Sequence, residues 1–293
     1  VGPELERRIQ IIIETGLVEL RDDFKIYWNK SSIAKLVTGK NYLNPNIELL
    51  VDDILEQNLR QKLIIFLEKW LKNKIEVVLK SLIDLKNLKE KNSSVKALAY
   101  QLYENNGVLK RSQVSEYLKN LEQNERKILR DLGVKFGRYH VFLYRLIKPE
   151  PVSLRTLLWK NYHQKYFNLK PPTFGLNFLD NNKFKNDSFM LLCGFEKFNN
   201  FYIRIDILER LFVQIINSNS DKGNEIKMTA EMLNLLGCTK ENFKKLLKSM
   251  EYKILEKDND IFFRYVPKKS SKKPDKKIQK ETPFGILKNL NFS

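Results

Sequence analysis

Apolar and polar positions alternate over residues 17–43 in three short runs, LVEL, FKIYW and SIAKLV, parted by polar turns at 21–23 and 29–31 and closed by TGKN at 38–41. Short β-rich runs between turn residues are the hairpin signal, so this part reads as a small β unit. From residue 46 to about 91 the period changes. Leu67, Leu71, Ile75, Val78, Leu82 and Leu85 recur at spacings of four and three, an apolar stripe along one long helix with a break near Asn58. NSS at 92–94 interrupts the pattern and supplies an N-cap for a helix over 95–105, and another helix is predicted over 112–132. Leu154, Leu157, Leu158 and Tyr162 share one side of a helix over 149–166 that PP at 171–172 terminates. Residues 189–195 and 199–205 then read as a hairpin.

The strongest architectural pattern covers residues 206–266. DILERLFVQIIN predicts a helix, TAEMLNLL a short second one, GCT at 237–239 a tight turn with Thr239 as N-cap, and KENFKKLLKSM a third helix before the hairpin YKILE…DND…IFFRY. That is the order of a winged helix-turn-helix. In its third helix Phe243, Leu246, Leu247 and Met250 share a face, while Lys244, Lys245 and Lys248 lie off it, placed to meet a groove or a backbone. The expected fold is therefore α+β and mainly α-helical: a small β-hairpin unit at 1–45, a helical bundle at 46–132, a basic and aromatic α+β region at 133–205, a winged-helix-like domain at 206–266, and a tail at 267–293. Within the tail, PKKSSKKPDKKIQK is too charged to pack, whereas TPFGILKNL is apolar enough to dock on the body.

Composition adds limits. With 293 residues and 42% apolar content the chain can bury one or two cores. Its apolar runs fall far short of the roughly 20 residues of a membrane span, and no signal-peptide pattern opens it, which predicts a cytoplasmic protein with no membrane partner. Cys193 and Cys238 cannot form a disulfide framework, and with only His140 and His163 beside them a zinc site lacks ligands. VGPELERR runs into IQIII without a start-like segment, so we expect a fragment whose chemistry lies upstream.

The formal charge of +18 points to a polyanionic partner. It is unevenly spread: residues 133–170 hold eight cations against Glu150 alone, and residues 268–280 hold seven lysines against Asp275 alone. The first of these stretches also carries eight aromatics, and cations with aromatic faces are how unpaired strands are held without sequence readout. Its centre, LRDLGVKFGRYHVFLYRLIKP at 129–149, packs two glycines and several rings around His140. Gly133 reads as a helix C-cap and Gly137 as a strand bend. Alternation assigns Phe136, Tyr139, Val141 and Leu143 to the fold and leaves His140 nearer solvent with Lys135 and Arg138. Catalytic signatures are missing from the sequence: there is no GxxxxGK[ST] phosphate loop, no GxSxG, HExxH or CxxC, and no nucleophile or orienting acid nominated for His140. The candidate nucleic-acid-binding residues are Lys135, Arg138, His140, Arg145 and Lys148, with Lys244, Lys245 and Lys248; no catalytic residue, metal ligand or cofactor is expected in this chain.

Several blocks also resemble a known family. ERKILRDLGVKFGRYHVFLYRLIKPEPVSLRTLLWK is similar to the "R..LGVRFGRYHVFLP.LLKP....LR.LLW" block in the C-terminal region of alphaproteobacterial superfamily-two helicases, relatives of the mitochondrial degradosome RNA helicase. In order along the chain, KIYWNKSSIAKLVTGKNYLNPNIELLVDD, FYIRIDILERL, MLNLLGCTKENFKKLLKSMEY and the closing TPFGILKNL resemble further elements of that region. Tyr144 departs from the pattern where proline is expected, and Lys30 where glycine is. The resemblance implies the accessory region of an ATP-dependent helicase, with an upstream RecA-like core that would carry ATP and Mg, and single-stranded nucleic acid, RNA ahead of DNA, as partner. A scaffold that docks on a nuclease or ribosome is the alternative reading.

Overall fold

The computed structural model describes residues 2–51, 56–89, 92–180, 186–218 and 225–266. The tail at 267–293, with its expected docking segment, lies outside them. Helices and small antiparallel sheets are interspersed, so the chain is α+β. Among the described residues no helix is long and apolar enough to cross a membrane.

The β unit is preceded by a helix, α1 (Gly2–Thr15), which the strand reading of residues 1–45 did not include. IQIII is too short for periodicity to separate helix from strand, and the helix forms because Ile9 and Ile12, three apart, bury on one face. A four-stranded meander follows: β1 (Val18–Leu20), β2 (Lys25–Trp28), β3 (Ser31–Asn41) and β4 (Asn44–Leu49), in that order across the sheet. Residues 38–41 continue β3 instead of turning, and β4 occupies the start of the expected helical stretch. Asn41 makes this possible, its Oδ1 accepting from the Leu43 N–H at 3.0 Å and from Asn44 Nδ2 at 2.8 Å across the hairpin. Pro45 is tolerated because β4 is an edge strand.

The predicted stripe is present but its helix is broken into α2 (Gln57–Val78) and α3 (Lys80–Lys86), with Leu79 fully buried at the break. Leu67, Leu71, Ile75, Leu82 and Leu85 bury as expected, and Val78 only in part. Asn92 caps α4 (Ser93–Glu104), accepting from the N–H of Ser94 at 2.8 Å and Val95 at 3.2 Å. The single helix expected over 112–132 is three pieces, a 3-10 turn at Arg111–Val114, α5 (Ser115–Asn120) and α6 (Gln123–Asp131), after a short strand β5 (Val108–Lys110).

The glycine-rich stretch forms β6 (Val134–Phe136) and β7 (His140–Leu143), with β7 central in a sheet of order β5-β7-β6. A 3-10 turn at Tyr144–Ile147 leads into α7 (Pro149–His163), which ends before the prolines, at Gln164. Next come β8 (Phe178–Asp180), α8 (Asp187–Leu192), β9 (Phe195–Phe198) and β10 (Phe201–Arg204), with β10 between the other two strands. Residues 189–192 are thus helical where a strand was expected, because the Asn186 side chain accepts from the Phe189 N–H at 2.8 Å and starts a helix.

The last part runs α9 (Ile205–Ser218), β11 (Ile226–Lys227), α10 (Ala230–Leu236), α11 (Lys240–Ser249), β12 (Tyr252–Lys257) and β13 (Asp260–Tyr265), with sheet order β11-β13-β12. Thr229 and Thr239 cap α10 and α11, and Gly237 takes the left-handed conformation (φ +68°) that ends α10. Phe243, Leu246, Leu247 and Met250 all bury.

Two apolar clusters divide most of the core, one spanning α1 to α7 and one spanning β10 to β13. The 134–143 hairpin belongs to both: Val134, Val141 and Leu143 pack in the first, and Tyr139 packs against the second, its ring 4.1 Å from that of Phe212. Arg155, one of the eight cations counted at 133–170, is fully buried, and Lys160 nearly so. The Arg155 guanidinium donates to the carbonyls of Asn106 (2.7 Å), Leu146 (3.3 Å) and Leu192 (2.8 Å), tying three segments around α7.

Candidate nucleic-acid interface

The turn between β6 and β7 is built around a carboxylate from another element. Glu209, on α9, accepts backbone N–H groups from Arg138, from Tyr139 at 2.9 Å and from His140 at 2.9 Å. A Cβ on Gly137 would overlap the Glu209 carboxyl, coming within 2.7 Å of Oε1. A side chain at 137 would therefore displace this carboxylate from the backbone N–H groups it accepts. Arg111 closes the other side, donating from Nη1 to the Gly137 carbonyl at 2.8 Å and from its backbone N–H to Tyr139 O at 2.7 Å.

His140 is only 2% exposed, which corrects the expectation that it faces solvent and removes it from direct contact with a strand. Its Nε2 lies 3.1 Å from Glu196 Oε2 and its Nδ1 3.3 Å from Glu209 Oε1, while Lys110 Nζ meets the other Glu196 oxygen at 3.0 Å. Alternation along β7 separated two faces correctly, but both faces are covered, so all four of its residues bury. Burial opposes charge on His140, yet the hydrogen bonds to Glu196 and Glu209 outweigh it and hold the imidazole pKa above its ordinary value. For Glu196 burial is likewise outweighed, by His140 and Lys110, and its pKa is held below the usual carboxylate value.

Outside this buried knot lies a cleft of about 610 Å³. The hairpin supplies Lys135 and Arg138, the approach to α7 supplies Lys148, and α9 and the 3-10 turn after β5 supply Arg210 and Arg111. Among the described residues Lys135, Arg138, Lys148 and Arg210 make no ion pair. The two carboxylates of the cleft are already engaged: Asp206 by Arg204 at 2.7 and 3.1 Å, and Glu209 by the hairpin N–H groups. The cleft is thus positive, and Phe136 and Tyr144 bring part-exposed rings to it, with Phe142 and Phe212 buried behind its wall. Tyr144 opens the 3-10 turn at the position of the expected proline. Lys135 Nζ lies 5.0 Å from its ring centroid, and Arg145 Nε donates to its hydroxyl at 3.3 Å.

Of the five hairpin-region residues named from sequence, the fold brings Lys135, Arg138 and Lys148 together, sets Arg145 beside Tyr144 at the edge, and buries His140. Lys244, Lys245 and Lys248 lie on α11, away from this cleft, and Lys244 is neutralised by Glu256 at 2.7 Å and Glu241 at 3.4 Å. Arg111 and Arg210 were not among the residues named from sequence, because neither lies in the basic and aromatic stretch at 133–170. Cys193 is buried, which pushes its thiol up to about 12, and Cys238 is half-buried with its thiol pushed up to about 11, so neither is a ready nucleophile. Among the described residues no group of three or more histidine, cysteine or acidic side chains is placed to hold a metal ion. No family model, no curated protein and no solved structure matches the chain.

Proposed function

We propose that this chain is the nucleic-acid-binding accessory region of an ATP-dependent RNA or DNA helicase, holding a single strand while an upstream RecA-like core, with its ATP and Mg, supplies movement. The observation that carries this reading is the convergence of four unpaired cations with the part-exposed rings of Phe136 and Tyr144 in one cleft. Cations release counterions from the phosphates, and ring faces stack on bases that only an unpaired strand exposes. The ordered sequence blocks similar to the helicase C-terminal region support the class. So does the order helix, strand, two helices, two strands from α9 to β13, which we read as a winged helix.

The test is fluorescence anisotropy of the whole chain with labelled single-stranded RNA and DNA across a salt series. Affinity that falls steeply with salt, and that drops on Lys135→Ala with Lys148→Ala, is the expected result. Absence of salt-sensitive binding to either strand overturns the proposal. Capture of a nuclease or ribosomal protein at high salt, without strand binding, would replace it with the scaffold reading.

A further inference from the structure

A second cleft, of about 500 Å³, lies across the β6–β7 turn from the first. Arg111 and Arg138 line both. The turn that carries Arg138 is therefore a ridge between two clefts, and Glu209 and Arg111, holding its backbone, make that ridge rigid. The second cleft adds the hydroxyls of Ser112 and Ser115 and the rings of Tyr139, Phe198 and Tyr265, the last 47% exposed. Two carboxylates line it, Glu196, whose oxygens are occupied by Lys110 and His140, and Glu251, against the cations Lys110, Arg111 and Arg138. Two cavities that each set cations beside aromatic rings, sharing two arginines at their common wall, have the form of one path interrupted by a step.

Resting on the reading above, we propose that both clefts hold one continuous single-stranded RNA, which enters along Lys135 and Lys148, crosses the Arg111 and Arg138 ridge, and continues past Ser112 towards Tyr265. The ridge gives the path its selectivity. A strand must bend its backbone over two guanidinium groups while its bases turn to the rings on either side, and a duplex, about 150 bp in persistence length, does not make that step. Each cleft is of a size that takes about one or two nucleotides, so the whole path takes about four, the lower end of the range for compact single-strand folds.

The experiment titrates the whole chain with 5′-labelled oligouridylates of two to twelve nucleotides. It compares the wild type with a Ser112→Glu, Tyr265→Ala double variant, both positions being exposed or partly so and outside the core, and with Lys135→Ala. The wild type should gain affinity stepwise up to about four or five nucleotides. The double variant should bind two-nucleotide ligands as the wild type does and lose about tenfold on longer ones, and Lys135→Ala should weaken every length. If the double variant follows the wild type at all lengths while Lys135→Ala weakens binding, the continuous path is wrong and the first cleft alone is the site. If the wild type binds no oligonucleotide, the path and the function reading both fall.

Discussion

Gly137→Ala tests why the hairpin has a glycine at its bend. The added Cβ would occupy the place of the Glu209 carboxyl, which must swing away from three backbone N–H groups and the His140 ring. Hydrogen bonds to a charged group are each worth roughly 1.5–3 kcal/mol net, and removing one member of a buried charged set costs about 3–5 kcal/mol. The Glu209 side chain is 11% exposed, so water reaches part of the set, and a loss of about 3 kcal/mol is expected for Gly137→Ala. Glu209→Ala should cost a similar amount by removing the same bonds. The decisive measurement is the cycle: with no carboxylate to displace, Gly137→Ala in the Glu209→Ala background should cost less than about 1 kcal/mol, leaving a coupling of about 2 kcal/mol by urea unfolding. Strict additivity, within about 0.5 kcal/mol, would show that the glycine answers to something other than Glu209.

The His140 knot makes stability depend on pH in a defined sense. The imidazole pKa is raised on folding, so its contribution is complete below the unfolded value near 6.5 and is lost as pH rises through the folded value; Tm should fall above pH 6.5 in the wild type and stay flatter in His140→Gln. Glu196 acts at the other end, its depressed pKa giving stability that is present above about 4.5 and lost on further acidification, a slope that Glu196→Gln should remove. Arg155→Met leaves the carbonyls of Asn106, Leu146 and Leu192 without their buried donor and should cost about 3–5 kcal/mol in urea unfolding, with Arg155→Lys recovering only part because one ammonium does not span all three. Lys135→Ala and Lys148→Ala should each lower the slope of log affinity against log salt by about 0.7 without moving Tm; a lowered Tm with an unchanged slope would mark them as structural.

Much of the architecture was legible because it is written in short range. The period of Leu67, Leu71, Ile75, Leu82 and Leu85, the threonine cap at 239, and the face of Phe243, Leu246, Leu247 and Met250 are local patterns, and each appears where the sequence placed it. Elements were missed where a short apolar run fits two periods: a distant partner decides for α1, packed on the helical cluster, and for β4, paired with β3, while one adjacent asparagine cap decides for α8.

The candidate site divides in the same way. By itself the sequence determined that cations and rings concentrate between residues 133 and 170 and that Gly137 marks a bend, and it named Lys135, Arg138, His140, Arg145 and Lys148 alike, since composition and local spacing carry that much. Only the tertiary structure decided which of these residues work together. It turned Arg155 and His140 inward, brought Arg111 and Arg210 to the same cleft from sequence positions 99 residues apart, and set Glu209 against a glycine 72 residues away. The physical reason is that a charge has no fixed role until its surroundings are known. Facing water it is available to a phosphate, and buried against carbonyls or carboxylates it holds the fold, a choice made by packing between segments that no local pattern encodes.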